Sequence, residues 1–169
     1  SATFYHPGHS LESASTAKLE RICQKLNLQP DDHVIEIGTG WGGFAAYAAK
    51  HYGCKITTTT ISKEQHAAAR QRFEREGVAD QISLLLDDYR VLQGKYDKLV
   101  SIEMIEAVGH HYLDTYLRQC ANLLKPDGLA LIQAITIEDR YYSQALSNVD
   151  FIKRYIFPGS FIPCVSAII

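Results

Sequence analysis

The stretch VIEIGTGWGGF, residues 34–44, decides the fold. A short apolar run stops at a loop with glycines at positions 38, 40 and 42, and an alanine-rich segment follows. Because glycine has no Cβ, such a loop turns sharply and lets a ligand approach the main chain. The pattern departs from the plain dinucleotide-binding motif, since a further glycine stands at 42 and an acidic residue precedes the loop. It predicts a strand, a ligand-binding glycine loop and a helix, with a turn that binds nothing as the alternative.

Glu36 is the acidic residue of this stretch and lies inside the predicted strand. Burying a carboxylate among apolar residues is costly unless the carboxylate has a partner. We therefore expect Glu36 to face the amino group of a zwitterionic ligand, either directly or through the backbone of the loop.

Strands and helices alternate outward from the glycine loop. Helices are predicted at 11–26, 44–51, 62–76, 112–124 and 144–155, strands at 33–37, 55–60, 82–86, 96–102 and 129–137, and a turn at 125–128. This alternation is typical of a doubly wound α/β domain with a mostly parallel sheet covered on both faces. In such domains the ligand binds at the carboxyl ends of the strands, where the strand order reverses.

The composition is that of an ordinary globular domain, with 46% apolar and 21% charged residues among 169. A net charge of −2 gives no basic surplus that would indicate a nucleic-acid partner. No apolar run is long enough for a membrane span and no signal peptide is recognisable, which predicts a single cytoplasmic domain over residues 1–169. The four cysteines are far apart in the sequence, which favours reduced thiols over a zinc site or disulfides; they are Cys23, Cys54, Cys120 and Cys164.

Five motifs together resemble the cyclopropane fatty acid synthase family of S-adenosylmethionine-dependent methyltransferases, which includes the mycolic acid cyclopropane synthases. They lie at 35–43, 60–65, 88–90, 101–109 and 157–159, so the resemblance runs through nearly the whole chain. It implies a Rossmann-like fold and transfer of a methyl group from S-adenosylmethionine to a cis double bond of an unsaturated phospholipid acyl chain. It further implies that bicarbonate removes a proton so that a cyclopropane ring closes. Methylation without ring closure and a non-catalytic cofactor-binding domain are the alternatives.

The resemblance also implies which residues bind the cofactor. They are Ser1, Glu36, Gly38, Gly40, Thr60, Ile61, Gln65, Asp88, Tyr89 and Arg90. The amide of Gln65 is expected at the ribose, because an amide both donates and accepts hydrogen bonds. Tyr89 offers a stacking face to adenine, while Asp88 is expected either to accept from the adenine amine or to be braced by Arg90.

The catalytic residues implied by the resemblance are Glu106, Gln133, Ile135 and Ala2. Glu106 matches the glutamate that holds bicarbonate, whereas Ile135 and Ala2 would contribute backbone N–H groups. Gln133 stands where better-known members have histidine, and it can hydrogen-bond an anion without carrying a charge. Glu103, three residues before Glu106, is open to an acid/base interpretation or to a helix-start interpretation. The adjacent histidines at 110 and 111 are expected at the surface rather than on a metal.

A complete sheet of this family has two more strands after the fifth, so the chain is expected to be a core truncated at both ends. The fifth strand and residues 151–169 are then expected to expose apolar surface. The expected partner is an unsaturated phospholipid acyl chain at a membrane surface, with the protein peripheral to the inner face. The sequence predicts no oligomeric state.

Overall fold

The computed structural model describes all residues from Ser1 to Ile169. The helices are α1 (Leu11–Leu26), α2 (Gly43–Tyr52), α3 (Lys63–Glu76), α4 (Ile105–Val108), α5 (Leu113–Leu123), α6 (Asp139–Ser147) and α7 (Val165–Ile168). The strands are β1 (His33–Ile37), β2 (Lys55–Thr59), β3 (Ile82–Leu85), β4 (Tyr96–Ile102) and β5 (Leu124–Gln133). None of the helices is both long and apolar enough to span a membrane.

The five strands form one parallel sheet in the order β3-β2-β1-β4-β5. The chain moves outward from β1 to β3 on one side and returns to β4 on the other. This confirms the predicted doubly wound fold, and it places the reversal of strand order between β1 and β4. The carboxyl ends of these two central strands therefore frame the expected binding crevice.

The helices cover the sheet from both faces and bury a separate apolar cluster on each. One cluster of 16 buried residues lies under α1, α2 and α3, and one of 11 lies under α4 and α5. Val34 belongs to the first cluster and Ile35 and Ile37 to the second, as the two-residue period of a strand requires. Glu36 consequently points to the same face as Val34. All four cysteines are free and buried, which confirms the predicted thiols.

The predicted turn at 125–128 and the predicted end of the fifth strand are wrong. Leu124 pairs with Tyr96 and Leu129 with Lys98, so residues 125–128 bulge within one continuous β5. The Lys125 ammonium lies 2.6 Å from the Asp97 carboxylate and holds this bulge against β4. At its other end β5 stops at Gln133, and Ile137 makes only an isolated bridge to Cys164. Turn-forming residues favour a chain reversal in isolation, but here the pairing with β4 continues through them.

The predicted helix at 144–155 is also wrong, because two separate elements replace it. Helix α6 ends at Ser147, and Asn148 is extended with φ −98° and ψ 141°. A π-helical turn then spans Ile152–Ile156, and the Asp150 side chain accepts from the backbone N–H of Lys153 over 2.8 Å. A side-chain cap of this kind begins a new turn instead of continuing the old helix.

Apolar side chains are exposed on β5 and in the C-terminal segment, as predicted. Leu129 of β5 is 47% exposed, and Phe151 is 65% exposed. The remaining exposed large apolar residues after 148 are Val149, Ile152, Tyr155, Ile156, Phe157, Val165 and Ile169.

Candidate functional site

The glycine loop after β1 adopts backbone conformations that other residues disfavour. Gly38, Gly40 and Gly42 have φ values of 98°, 52° and 78°. A Cβ built on Gly40 would meet no atom within 4 Å, so this part of the main chain faces open space. A Cβ on Gly42 would lie 2.7 Å from the Phe73 ring, so this glycine allows α2 to pack closely against α3. The loop thus leaves its Gly40 backbone accessible to a ligand.

Glu36 is buried and bonded to the neighbouring strand. The Thr58 hydroxyl donates to Oε2 of Glu36 over 2.6 Å, and the hydroxyls of Thr58 and Thr39 lie 2.7 Å apart. Burial raises the pKa of Glu36 to about 8, against the lowering effects of the Thr58 hydrogen bond and the Lys18 charge. Thr58 is therefore the hydrogen-bond donor that the buried carboxyl group of Glu36 requires. Thr39 lies in the glycine loop, so its hydrogen bond with Thr58 links Glu36 to this loop.

A cavity of about 470 Å³ lies at the carboxyl ends of the strands, beside the glycine loop. It is lined by Ile37, Gly38, Thr59, Thr60, Ile61, Gln65, Asp87, Asp88, Tyr89, Arg90, Met104, Ala107, Val108 and Tyr112. Seven of the ten residues predicted to bind a cofactor are in this lining, whereas Ser1, Glu36 and Gly40 are not. The wall after β4 contains the motif at 101–109, but the sequence did not single out its lining residues Met104, Ala107, Val108 and Tyr112.

Polar side chains on the cavity wall are held by local hydrogen bonds. The Thr60 hydroxyl donates to Oε1 of Gln65 over 2.8 Å, which leaves the amide NH2 of Gln65 without a hydrogen-bond acceptor. Arg90 donates to both carboxylate oxygens of Asp88, at 2.9 and 2.7 Å, and these bonds hold the pKa of Asp88 below its usual range. The predicted brace, in which Arg90 holds the Asp88 side chain, is therefore present. It fixes the turn that carries Tyr89.

Two glutamates lie directly after β4 and are both bonded to the end of β5. The backbone N–H of Ile135 donates to Oε1 of Glu106 over 2.6 Å, while Oε2 of Glu106 is buried without a hydrogen-bond partner. The amide of Gln133 donates to Oε1 of Glu103 over 2.7 Å and to the Ser1 hydroxyl over 3.0 Å. The structure therefore brings together the predicted residues Glu106, Gln133, Ile135 and Ser1, and it adds Glu103.

Ala2 makes no hydrogen bond to this group of residues. The chain is anchored next to it, where the backbone N–H of Thr3 donates to the carbonyl of Ala14 over 2.9 Å. The Lys18 ammonium lies 3.3 Å from the Ser1 hydroxyl, which also accepts from the Gln133 amide.

A second cavity of about 490 Å³ lies beside the end of α4 and the residues that follow it. It shares Ala107, Val108 and Tyr112 with the first cavity. His110 and His111 lie at its rim with their ring centroids 3.7 Å apart, and both side chains are exposed. No group of metal-ligating side chains is present in the chain, and the two histidines lie at the surface as predicted.

The sheet order, the glycine loop and the cavity at the switch point define a Rossmann-like cofactor-binding domain. A family model described as mycolic acid cyclopropane synthetase matches residues 1–169. The chain belongs to this family of S-adenosylmethionine-dependent methyltransferases.

Named relatives and a solved structure agree with this assignment. The cyclopropane-fatty-acyl-phospholipid synthase of Escherichia coli K12 is 40% identical over 169 residues, covering 99% of this chain and 42% of that protein. A Pseudomonas putida protein named "Probable fatty acid methyltransferase" is 37% identical over 172 residues, covering 99% and 43%. The mycolic acid cyclopropane synthase CmaA1, solved with SAH and CTAB, superposes with a TM-score of 0.88 at 27% identity, covering 99% of this chain and 62% of that one. The chain thus spans about two fifths of these curated relatives.

Proposed function

We propose that this protein transfers the methyl group of S-adenosylmethionine to a cis double bond of an unsaturated phospholipid acyl chain and closes a cyclopropane ring. The observation that carries the proposal is the 470 Å³ cavity at the switch point, with Glu106 on the turn that forms its wall. The family and the name of the Escherichia coli relative support this reaction and this acceptor.

The residues of the cavity suit S-adenosylmethionine. The open space at Gly40 admits a ligand against the main chain, and the NH2 group of Gln65 is available to a ribose hydroxyl. Tyr89 presents an aromatic face for adenine on a turn braced by Asp88 and Arg90. Thr60 positions Gln65, and Ile61 adds apolar surface to the wall. When bound, the cofactor supplies an electrophilic methyl group on a positively charged sulfur.

Glu106 is proposed to stabilise positive charge on the acceptor. The N–H of Ile135 fixes one carboxylate oxygen, and the buried Oε2 has no hydrogen bond that would neutralise it. Methylation of a double bond leaves a cation on the neighbouring carbon. A preorganised carboxylate in a site that excludes water stabilises such a cation without reorganising.

Bicarbonate, which the resemblance implies as the base, fits this donor set poorly. The N–H of Ile135 is bonded to Glu106, and the Gln133 amide donates to Ser1 and Glu103. An added anion would displace these bonds and would meet two carboxylates of its own sign. No step through bicarbonate follows from this arrangement, and its involvement stays a prediction.

The acceptor is proposed to reach the site from a membrane surface, on the inner face of the membrane. The segment 149–157 exposes six large apolar side chains and carries Lys153 and Arg154. Apolar and aromatic side chains next to cations are typical of segments that bind anionic lipid surfaces. Lys153 also lines the second cavity, which would connect this surface to the wall at Ala107.

Methylation without ring closure is the second candidate. It is favoured by Gln133, because an amide cannot take a proton or a charge as histidine does. The name of the Pseudomonas putida relative, a fatty acid methyltransferase, is compatible with it.

The test uses the protein at its natural length with methyl-labelled S-adenosylmethionine and unsaturated phospholipid vesicles, and mass spectrometry of the acyl chains. Label in a ring supports the first candidate, and label in an unringed chain supports the second. Glu106→Gln should lower incorporation by about 100-fold or more, while Glu74→Gln, an exposed change on α3, should not. Cofactor binding without any label in lipid would indicate the binding-domain alternative, whereas equal incorporation by both variants would remove Glu106 from the proposed mechanism.

A further inference from the structure

The side chain of Gln119 ties helix α5 to the turn that carries Tyr89. Its amide NH2 group donates to the carbonyl of Tyr89 over 3.1 Å and to the carbonyl of Leu92 over 2.9 Å. These two carbonyls lie at the two ends of one 3-10 turn, Tyr89–Val91, which Leu92 caps. An amide NH2 group has two N–H donors, so a single side chain can hold both ends of the turn.

The bonds within the turn do not attach it to a helix of the core. The backbone N–H of Leu92 lies 3.4 Å from the Tyr89 carbonyl, which is long for a bond from a backbone N–H. Asp88 and Arg90 are both close neighbours of Tyr89 in the sequence, so their ion pair shapes the turn itself. Gln119 belongs to α5 and lies 30 positions from Tyr89, so its bonds connect the turn to a separate element.

Tyr116, one helical turn before Gln119, supports the ring of Tyr89. The two tyrosine rings have centroids 5.4 Å apart and planes at 76°, a favourable edge-to-face arrangement. Tyr116 is fully buried, and its hydroxyl donates to the Ser101 hydroxyl of β4 over 2.5 Å. Residues three apart on a helix share a face. The same face of α5 therefore contacts the main chain of Tyr89 through Gln119 and its ring through Tyr116.

We propose that Gln119 is a positioning residue for cofactor recognition, which holds the turn so that the Tyr89 ring is preorganised to stack on adenine. This inference rests on the proposed function, to which the stack on adenine belongs. Tyr89 lines the 470 Å³ cavity and Gln119 does not, so Gln119 acts through the turn and not on the ligand. A wall that is already ordered saves the free energy that a mobile loop would lose on binding.

The test measures SAH affinity by isothermal titration calorimetry on the protein at its natural length. Gln119→Met removes both donors at similar side-chain volume and should weaken SAH binding by about 5–30-fold, the equivalent of one to two uncharged hydrogen bonds. Gln119→Glu, a second variant of the same shape, presents an acceptor to the two carbonyls and should lose at least as much. Arg118→Gln, an exposed change at the preceding position of α5, should stay within about twofold of the wild type.

Coupling to Tyr89 separates positioning from general support of the fold. If Gln119 acts through Tyr89, Gln119→Met should cost less than about twofold in a Tyr89→Ala background, because residues that act as a unit are not additive. A variant that merely loosened the domain would lose affinity in both backgrounds. It would also bind S-ribosylhomocysteine, an SAH analogue without adenine, more weakly in a competition assay. Gln119→Met should leave that second affinity unchanged.

Turnover supplies a third readout. In Gln119→Met the KM for S-adenosylmethionine should rise by the factor by which SAH binding weakens, while the KM for lipid stays unchanged. Unchanged SAH affinity in Gln119→Met, full additivity with Tyr89→Ala, or an equal loss for S-ribosylhomocysteine would each overturn the inference. If the wild type binds SAH but labels no lipid, the proposed methyl transfer fails, and the binding ratios still decide the role of Gln119.

Discussion

The hydroxyl of Thr58 lies 2.6 Å from Oε2 of Glu36, and both side chains are buried in the centre of the sheet. The two residues are partners in the parallel register of β1 and β2, so the contact follows directly from strand pairing. Glu36 is thereby a structural member of the sheet, one step away from the glycine loop.

Stability should depend on pH through Glu36. The pKa of about 8 in the folded protein exceeds the ordinary value of 4.5, so the folded state binds this proton more tightly. The stabilisation is fully present below pH 4.5, falls as pH rises toward 8 and is absent above it. Urea unfolding between pH 5 and 8.5 should show the wild type losing up to about 1.4 kcal/mol per pH unit relative to Glu36→Gln. A constant difference between the two proteins would contradict this role.

Gly42→Ala should destabilise the fold by about 1–3 kcal/mol. The new methyl group would lie 2.7 Å from the Phe73 ring and 3.2 Å from the Ala69 side chain, at a φ of 78°. Gly8→Ala is the matched control, because nothing lies within 4 Å of its Cβ position. Its unfolding free energy in urea should stay within about 0.5 kcal/mol of the wild type. Equal midpoints for the two variants would refute the proposed packing of α2 against α3.

Gln65→Ala should weaken SAH binding by about 3–10-fold, the equivalent of one uncharged hydrogen bond. Gln71→Ala, an exposed change on the same helix, should leave the affinity unchanged. Isothermal titration calorimetry measures both. Unchanged affinity in Gln65→Ala would remove this side chain from the proposed ribose contact.

The thiols should be unreactive in the folded protein. Burial raises the pKa of Cys23 to about 12 and the pKa values of Cys54 and Cys120 to about 11, and Cys164 is buried as well. The thiolate is the reactive form, so a disulfide reagent should titrate no thiol at pH 8 without denaturant and four in guanidinium. Rapid reaction of the native protein would indicate that the core opens readily.

Local patterns were sufficient to predict the order of strands and helices, because apolar periodicity and glycine loops are local signals. They also pointed to the loops after the strands, since the carboxyl ends of parallel strands meet at one edge. The family resemblance then singled out Gly38, Thr60, Gln65 and Tyr89, which all line the cavity. The partner of Glu36 could not be found in this way. The contact joins residues 22 positions apart and depends on the register of two strands.

The bulge in β5 and the bond between Glu103 and Gln133 were also outside the reach of local patterns. Residues 125–128 carry the same signal whether they reverse the chain or bulge within a strand, and only pairing with β4 distinguishes the two. The position of the Glu103 side chain depends on a left-handed φ. A sequence normally signals such a φ by a glycine or an asparagine, and neither stands at this position. The contact between Glu103 and Gln133 therefore could not be predicted from the sequence.

Helix α4, a single turn from Ile105 to Val108, contributes Ala107 and Val108 to two cavities that are each open to solvent. Apart from Ala107, Val108 and Tyr112, the two linings have no residue in common. Two ligands can therefore enter in either order, and steady-state kinetics should follow a random-order scheme rather than a compulsory one. Ala107 belongs to both linings, so one bulkier side chain there would reduce the space of both cavities at once.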